Sequence, residues 1–133
     1  YDLAKADYDK ILAHIPGNFE ALLAVALLNQ KMKRHTEALD QANRLVNQHP
    51  DKALAYAVRA GIEHERGMLE LALYDYEQAI KRDNQNAEYH IYKVETLIDL
   101  KRFDEALQEL NLLTKMGVAR AELVELYKRC KQR

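Results

Sequence analysis

The sequence predicts an all-α chain built from repeated antiparallel helix pairs, on three observations. Long stretches are rich in Ala, Leu, Glu, Lys and Gln, which favour helix. Four Gly and two Pro among 133 residues are too few for the many tight turns of a sandwich or barrel. Alanines recur at Ala4, Ala38, Ala72 and Ala106, each 34 residues after the last. The columns that follow them keep register without an insertion: Tyr8, Ala42, Tyr76 and Leu110, then Ile11, Leu45, Ala79 and Leu113. That spacing sets three side chains on one helical face. A fixed period of this length marks a repeat architecture.

Composition narrows the classes further. The length suits one domain with a modest core. With 48% apolar and 31% charged residues, the chain reads as soluble and globular rather than disordered. A net charge of −1 offers no general attraction to nucleic acid or membrane. No apolar run reaches membrane-spanning length. Cys130 is the sole cysteine, which excludes an intrachain disulfide and a cysteine-based zinc site. A free thiol leans toward a reducing, cytoplasmic compartment. There is no signal peptide and no initiating Met, and the chain opens inside a helical pattern at Tyr1, so it reads as a piece of something longer.

Further columns share the period. Small or β-branched residues stand at Ala26, Ala60 and Val94. Pro16 and Pro50 are followed by Asn84 and Val118. A bulky residue opens each second helix at Tyr1, Leu69 and Phe103, with His35 as the exception. The stretch Ala53–Asn86 carries Tyr56, Ala60, Gly67, Ala72, Tyr76 and Ala79 on the motif positions. In these features the chain resembles tetratricopeptide repeats over nearly its whole length. The resemblance implies a right-handed α-solenoid: an orphan helix, three repeats and a C-terminal capping helix.

Taken in order, residues 1–16 are the second helix of a truncated repeat, Tyr1–Ile15, ending at Pro16-Gly17-Asn18. Leu3, Ala4, Tyr8 and Ile11 are expected to pack forward on Leu22, Val25 and Ala26. The other edge lacks a partner and should expose apolar surface, a route to self-association. Residues 17–52 form repeat one, with helices Phe19–Lys33 and His35–Gln48. Arg34-His35 replaces the usual glycine-and-aromatic corner, predicting a less sharply defined turn. Residues 53–86 form repeat two, Ala53–Glu65 and Met68–Arg82, joined at Gly67. Residues 87–118 form repeat three, Ala87–Leu100 and Phe103–Met116, with Lys101-Arg102 at the corner and Gly117 as a helix C-cap. Residues 119–133 are the capping helix, with Leu123, Leu126, Tyr127 and Cys130 along one side. Lys128 falls on the Ala26–Ala60–Val94 column, and a charge there predicts that the array stops.

Two columns exchange charge together. Val25, Arg59 and Lys93 on the first helices match Gln41, Asp75 and Glu109 on the second. A cation thus appears only where an acid appears, predicting the pairs Arg59–Asp75 and Lys93–Glu109.

The resemblance implies that the first helices line a concave protein-binding groove. Its expected residues are Leu23, Leu27 and Gln30, then Leu54, Ala57, Gly61 and His64, then Ile91, Glu95 and Ile98. Glu20, Lys31, Glu65, Glu88 and Asp99 are expected to face it as well, so that it begins apolar and ends acidic. Exposed apolar groups in a groove suit a partner helix or an extended peptide. Some members of the family clamp the terminal carboxylate of chaperone tails with Lys, Asn and Arg. The corresponding positions here are Leu23, Leu27, Ala57, Gly61, Ile91 and Glu95, none basic or amide, which disfavours that activity.

Catalysis finds no support. The chain has no Ser and no Gly-rich phosphate loop. The five His are dispersed, which disfavours a metal, and no cofactor motif is present. Cys130 lies in a basic turn without a placed base. Lys128, Arg129, Lys131 and Arg133 suit a helix C-terminus, and the lack of interleaved aromatics weakens RNA binding. The sequence therefore reads as a non-catalytic protein–protein interaction scaffold. The alternatives are a structural segment of a longer array, whose function lies in another domain, and an RNA-contacting helical repeat.

Overall fold

The small residues of the 34-residue columns become helix–helix contact points. In the computed structural model, which describes residues 1–131, the chain forms eight helices and, among the described residues, no strand. They are α1 (Asp2–His14), α2 (Phe19–Lys31), α3 (His35–Gln48), α4 (Ala53–Glu65), α5 (Leu69–Arg82), α6 (Ala87–Asp99), α7 (Phe103–Lys115) and α8 (Arg120–Lys131). The expected bounds of α3 and α4 are reproduced, and every other end falls within two residues. Each helix packs on its chain neighbours, and α2 also touches α4, as α6 touches α8. The result is an all-α solenoid.

Ala26, Ala38 and Ala42 are fully buried and pack with Ile62, and Ala60 and Ala72 are buried with Tyr76. Larger groups there would push the paired helices apart. A larger cluster joins repeats one and two through Leu22, Leu45, Tyr56 and Ala79. Another unites α6, α7 and α8 through Val94, Leu97, Leu110, Leu113 and Leu123. Tyr127 and Cys130 belong to it and Leu126 packs on it, so the capping stripe docks as expected.

The corners correct one expectation. Lys33, Gly67 and Lys101 share a column, and all three have positive φ, of 61°, 76° and 61°. In each, the next residue's N–H bonds back five residues: Arg34 to Asn29, Met68 to Glu63 and Arg102 to Leu97, at 2.9, 2.8 and 2.8 Å. This is the bonding of a Schellman helix end. The first corner is therefore as sharply defined as the second, because backbone bonds rather than a glycine side chain's absence dictate it. The lysines bear the steric cost of the left-handed region. Lys33→Gly and Lys101→Gly should each raise stability by about 0.5–1 kcal/mol, read as a higher urea midpoint.

Helix α1 supplies a second correction. Leu3 is 86% exposed, Ile11 and Ala4 are also exposed, and Leu12 is the α1 residue that packs on the Leu22–Leu45 cluster. The face that carries Leu3, Ala4 and Ile11 is turned to solvent rather than packed on α2. Val46 and Ile80, one and two periods after Leu12, pack into the same cluster. Apolar surface is therefore exposed at Tyr1, Leu3, Ile11 and Ile15, on the face expected to pack rather than on the opposite edge.

Candidate interaction groove

Helices α2, α4 and α6 stand side by side, and their shared face holds a hollow of about 350 Å³. Its floor is Ala57 and Gly61, the flattest positions of α4. The Tyr76 hydroxyl from α5 lies 3.8 Å from where a Cβ on Gly61 would stand, an ordinary contact distance. The Tyr76 ring then meets Tyr92 of α6, with centroids 5.6 Å apart and planes tilted by 33°. Burial, with Tyr92 and Glu95 nearby, keeps the Tyr76 phenol un-ionised well above its ordinary range. Leu27 and Gln30 wall the hollow on the α2 side, Leu54 and Val58 on α4, and Glu88, Tyr89 and Tyr92 on α6. Across the tyrosine pair lies a second hollow of about 210 Å³, which adds His64, Glu95 and Thr96. A further depression of about 230 Å³ forms at the Lys101–Glu105 corner and includes none of the expected groove residues.

The structure thus brings together Leu27, Gln30, Leu54, Ala57 and Gly61 in the first hollow, and His64 and Glu95 in the second. Leu27, Leu54 and Tyr92 remain 38%, 41% and 41% exposed. Leu23 and Ile91 are half-buried and pack against the flanking core clusters, so their apolar area is already partly spent on packing. Ile98 requires correction: at 7% exposure it is a core residue, packed in the cluster that unites α6, α7 and α8. Tyr76, Tyr89 and Tyr92 were not among the expected groove residues. Glu88, Tyr92 and Glu95 share a helical face at spacings of four and three, a signal for Tyr92 that was present in the sequence. Tyr76 sits on the core alanine motif and carries no such signal.

A polar ladder ties the ends of the first helices. Gln30 Nε2 donates to Glu65 at 2.8 Å, and Lys33 lies 3.5 Å from the same carboxylate. The Gln30 bond, with Lys33 behind it, holds the Glu65 carboxyl below its usual range. His64 Nε2 meets Asp99 at 2.7 Å, and Arg129 reaches Asp99 at 3.2 Å. Lys128 lies 3.6 Å from Glu125, so two of the four basic tail residues already have acidic partners. Arg133 lies outside the described residues.

Beneath the groove, repeats two and three each enclose a charged set at the same columns. Arg59 binds Asp75 in bidentate fashion, Nε at 2.8 Å and Nη2 at 2.9 Å. Lys93 lies 3.3 Å from Glu109. Both pairs expected from the charge exchange are present. Repeat two also buries Glu63 at 5% exposure, one period after Asn29 and one before Leu97. Desolvation, then its hydrogen bond to Asp75 and that group's charge, push the Glu63 carboxyl up to about 8. Glu109 has a second partner, His90, whose Nδ1 faces it while Nε2–H donates to Asn84 O at 2.9 Å. His90 and His64 thus have separate acidic partners. Among the described residues no group of three or more metal-ligating side chains converges.

The family model described as Tetratricopeptide repeat matches residues 63–131. No curated protein sequence matches the chain. Among solved structures, the TPR2B-domain:pHsp70 complex of yeast Sti1 is 20% identical with a TM-score of 0.78, covering 86% of this chain and 96% of that one. The Yersinia enterocolitica type III secretion chaperone SycD, in complex with a peptide of the translocator YopD, is 18% identical with a TM-score of 0.70, covering 84% and 86%. YrrB, described as a TPR protein with an unusual peptide-binding site, is 17% identical with a TM-score of 0.82, covering 97% of this chain and 66% of its own. At these identities the likeness is one of fold.

Proposed function

Because the chain belongs to the tetratricopeptide repeat family, we propose that it is a non-catalytic interaction module holding a peptide or partner helix between α2, α4 and α6. One observation carries this reading. Three large side chains, Leu27, Leu54 and Tyr92, stand exposed around a floor of Ala57 and Gly61. A concave apolar site of that kind is where a partner gains most from burial. The solved complexes of Sti1 with pHsp70 and of SycD with a YopD peptide support the use of this fold for such a task. A carboxylate clamp does not belong to the proposal, since its positions hold Leu23, Leu27, Ala57, Gly61, Ile91 and Glu95.

The variant Leu27→Glu with Leu54→Glu should weaken partner capture by at least about tenfold, since each buried leucine contributes roughly 1.5–3 kcal/mol. Its helical circular dichroism should be unchanged, because both side chains are exposed in the free chain. Undiminished capture would remove the groove from the function.

A second reading, self-association through α1, is favoured by the contiguous exposure of Leu3, Ile11 and Ile15. Sedimentation should show a concentration-dependent larger species that Leu3→Glu with Ile11→Glu abolishes. A single monomeric boundary at high concentration would end this reading.

A further inference from the structure

The groove is asymmetric in charge. The α2 and α4 walls of the first hollow carry no charge, whereas α6 presents Glu88, Tyr92 and Glu95 on one face. The two carboxylates stand seven residues apart, about 10 Å along the helix axis. Glu65 and Asp99, at the ends of the first helices, are engaged by Gln30 and Lys33 and by His64 and Arg129. Among the described residues no ion pair forms at Glu88 or Glu95. The cations at the far end of α2 are also committed, Lys33 to Glu65 and Lys31 over the Tyr1 ring at 6.0 Å. The groove therefore joins a largely apolar hollow to two unneutralised carboxylates with an aromatic ring between them.

We infer that the occupant is a basic polypeptide segment that carries one large apolar side chain and two Lys or Arg residues about 10 Å apart. The inference rests on the groove reading above and adds the partner's chemistry to it. The apolar side chain seats on the Ala57–Gly61 floor between Leu27 and Leu54. The cations reach Glu88 and Glu95, and Tyr92 offers its ring face to a cation or its methylene stem. An acidic segment would instead set like charges against both carboxylates, the repulsion by which interfaces reject wrong partners.

The test is selection of short random peptides on phage against the immobilised chain. Binding of the enriched peptides is then compared for wild type, Glu88→Lys with Glu95→Lys, and Leu27→Glu with Leu54→Glu. Enriched peptides should carry Lys or Arg around a large apolar residue. The charge-reversed variant should bind them about tenfold more weakly or worse, and affinity should fall as salt rises. Acidic or uncharged peptides that lose binding only in the leucine variant would overturn the basic partner and leave the groove reading standing. Failure to enrich any peptide, or peptides indifferent to both variants, would overturn both.

Discussion

Arg59→Met should destabilise the chain by about 3–5 kcal/mol, the usual cost of stripping one partner from a buried ion pair. The Asp75 side chain is 2% exposed and Arg59 19%. Loss of the guanidinium therefore leaves a carboxylate with neither water nor counter-charge. Methionine keeps the stem's packing beside Tyr56, over whose ring the guanidinium carbon stands at 5.8 Å. Asp75→Leu should cost less, because Arg59 retains some access to water. The double variant should recover most of the loss, since repeat one folds with Val25 at the arginine position. Urea denaturation of the four proteins gives the coupling energy directly. Strictly additive losses would mean that the bidentate geometry contributes nothing of its own.

The second large effect concerns the proton on Glu63. One guanidinium stands near two carboxyl groups, so it neutralises one, and Glu63 keeps its proton up to about pH 8 against an ordinary 4.5. Between those values the folded chain holds a proton that the unfolded chain has released. Stability from this group is thus full below about pH 4.5 and is lost as the pH rises through about 8. The total is on the order of 5 kcal/mol. Glu63→Gln supplies a donor that cannot ionise. The difference in unfolding free energy between variant and wild type should therefore grow from pH 5 to pH 8 in the variant's favour. A constant difference across that range would place the proton elsewhere.

These two effects show where sequence reading stops. The columns 25/59/93 and 41/75/109 announce their pairing because residues one period apart occupy equivalent sites, so coordinated exchange reports contact. Glu63 gives no such warning. On a helix read alone it is an ordinary charged residue, and only the approach of α5 buries it beside Asp75. The same limit explains the groove. Leu27, Leu54, Ala57 and Gly61 follow from helical register, whereas Tyr76 enters the hollow from another helix, α5.

By itself, the sequence determined the period, the eight helical segments and their near-final bounds, the capping stripe of α8 and the two ion pairs. Each of these is a matter of direction about a single helix axis or of equivalence between repeats, and both are written in residue spacing. The tertiary structure alone decided which face of α1 packs, that Ile98 is core, that Lys33 and Lys101 turn left-handed at their corners, and which carboxylates are left without a partner. Those outcomes depend on the distance and tilt between neighbouring helices, which set desolvation and hydrogen-bond reach, and periodicity carries no measure of either.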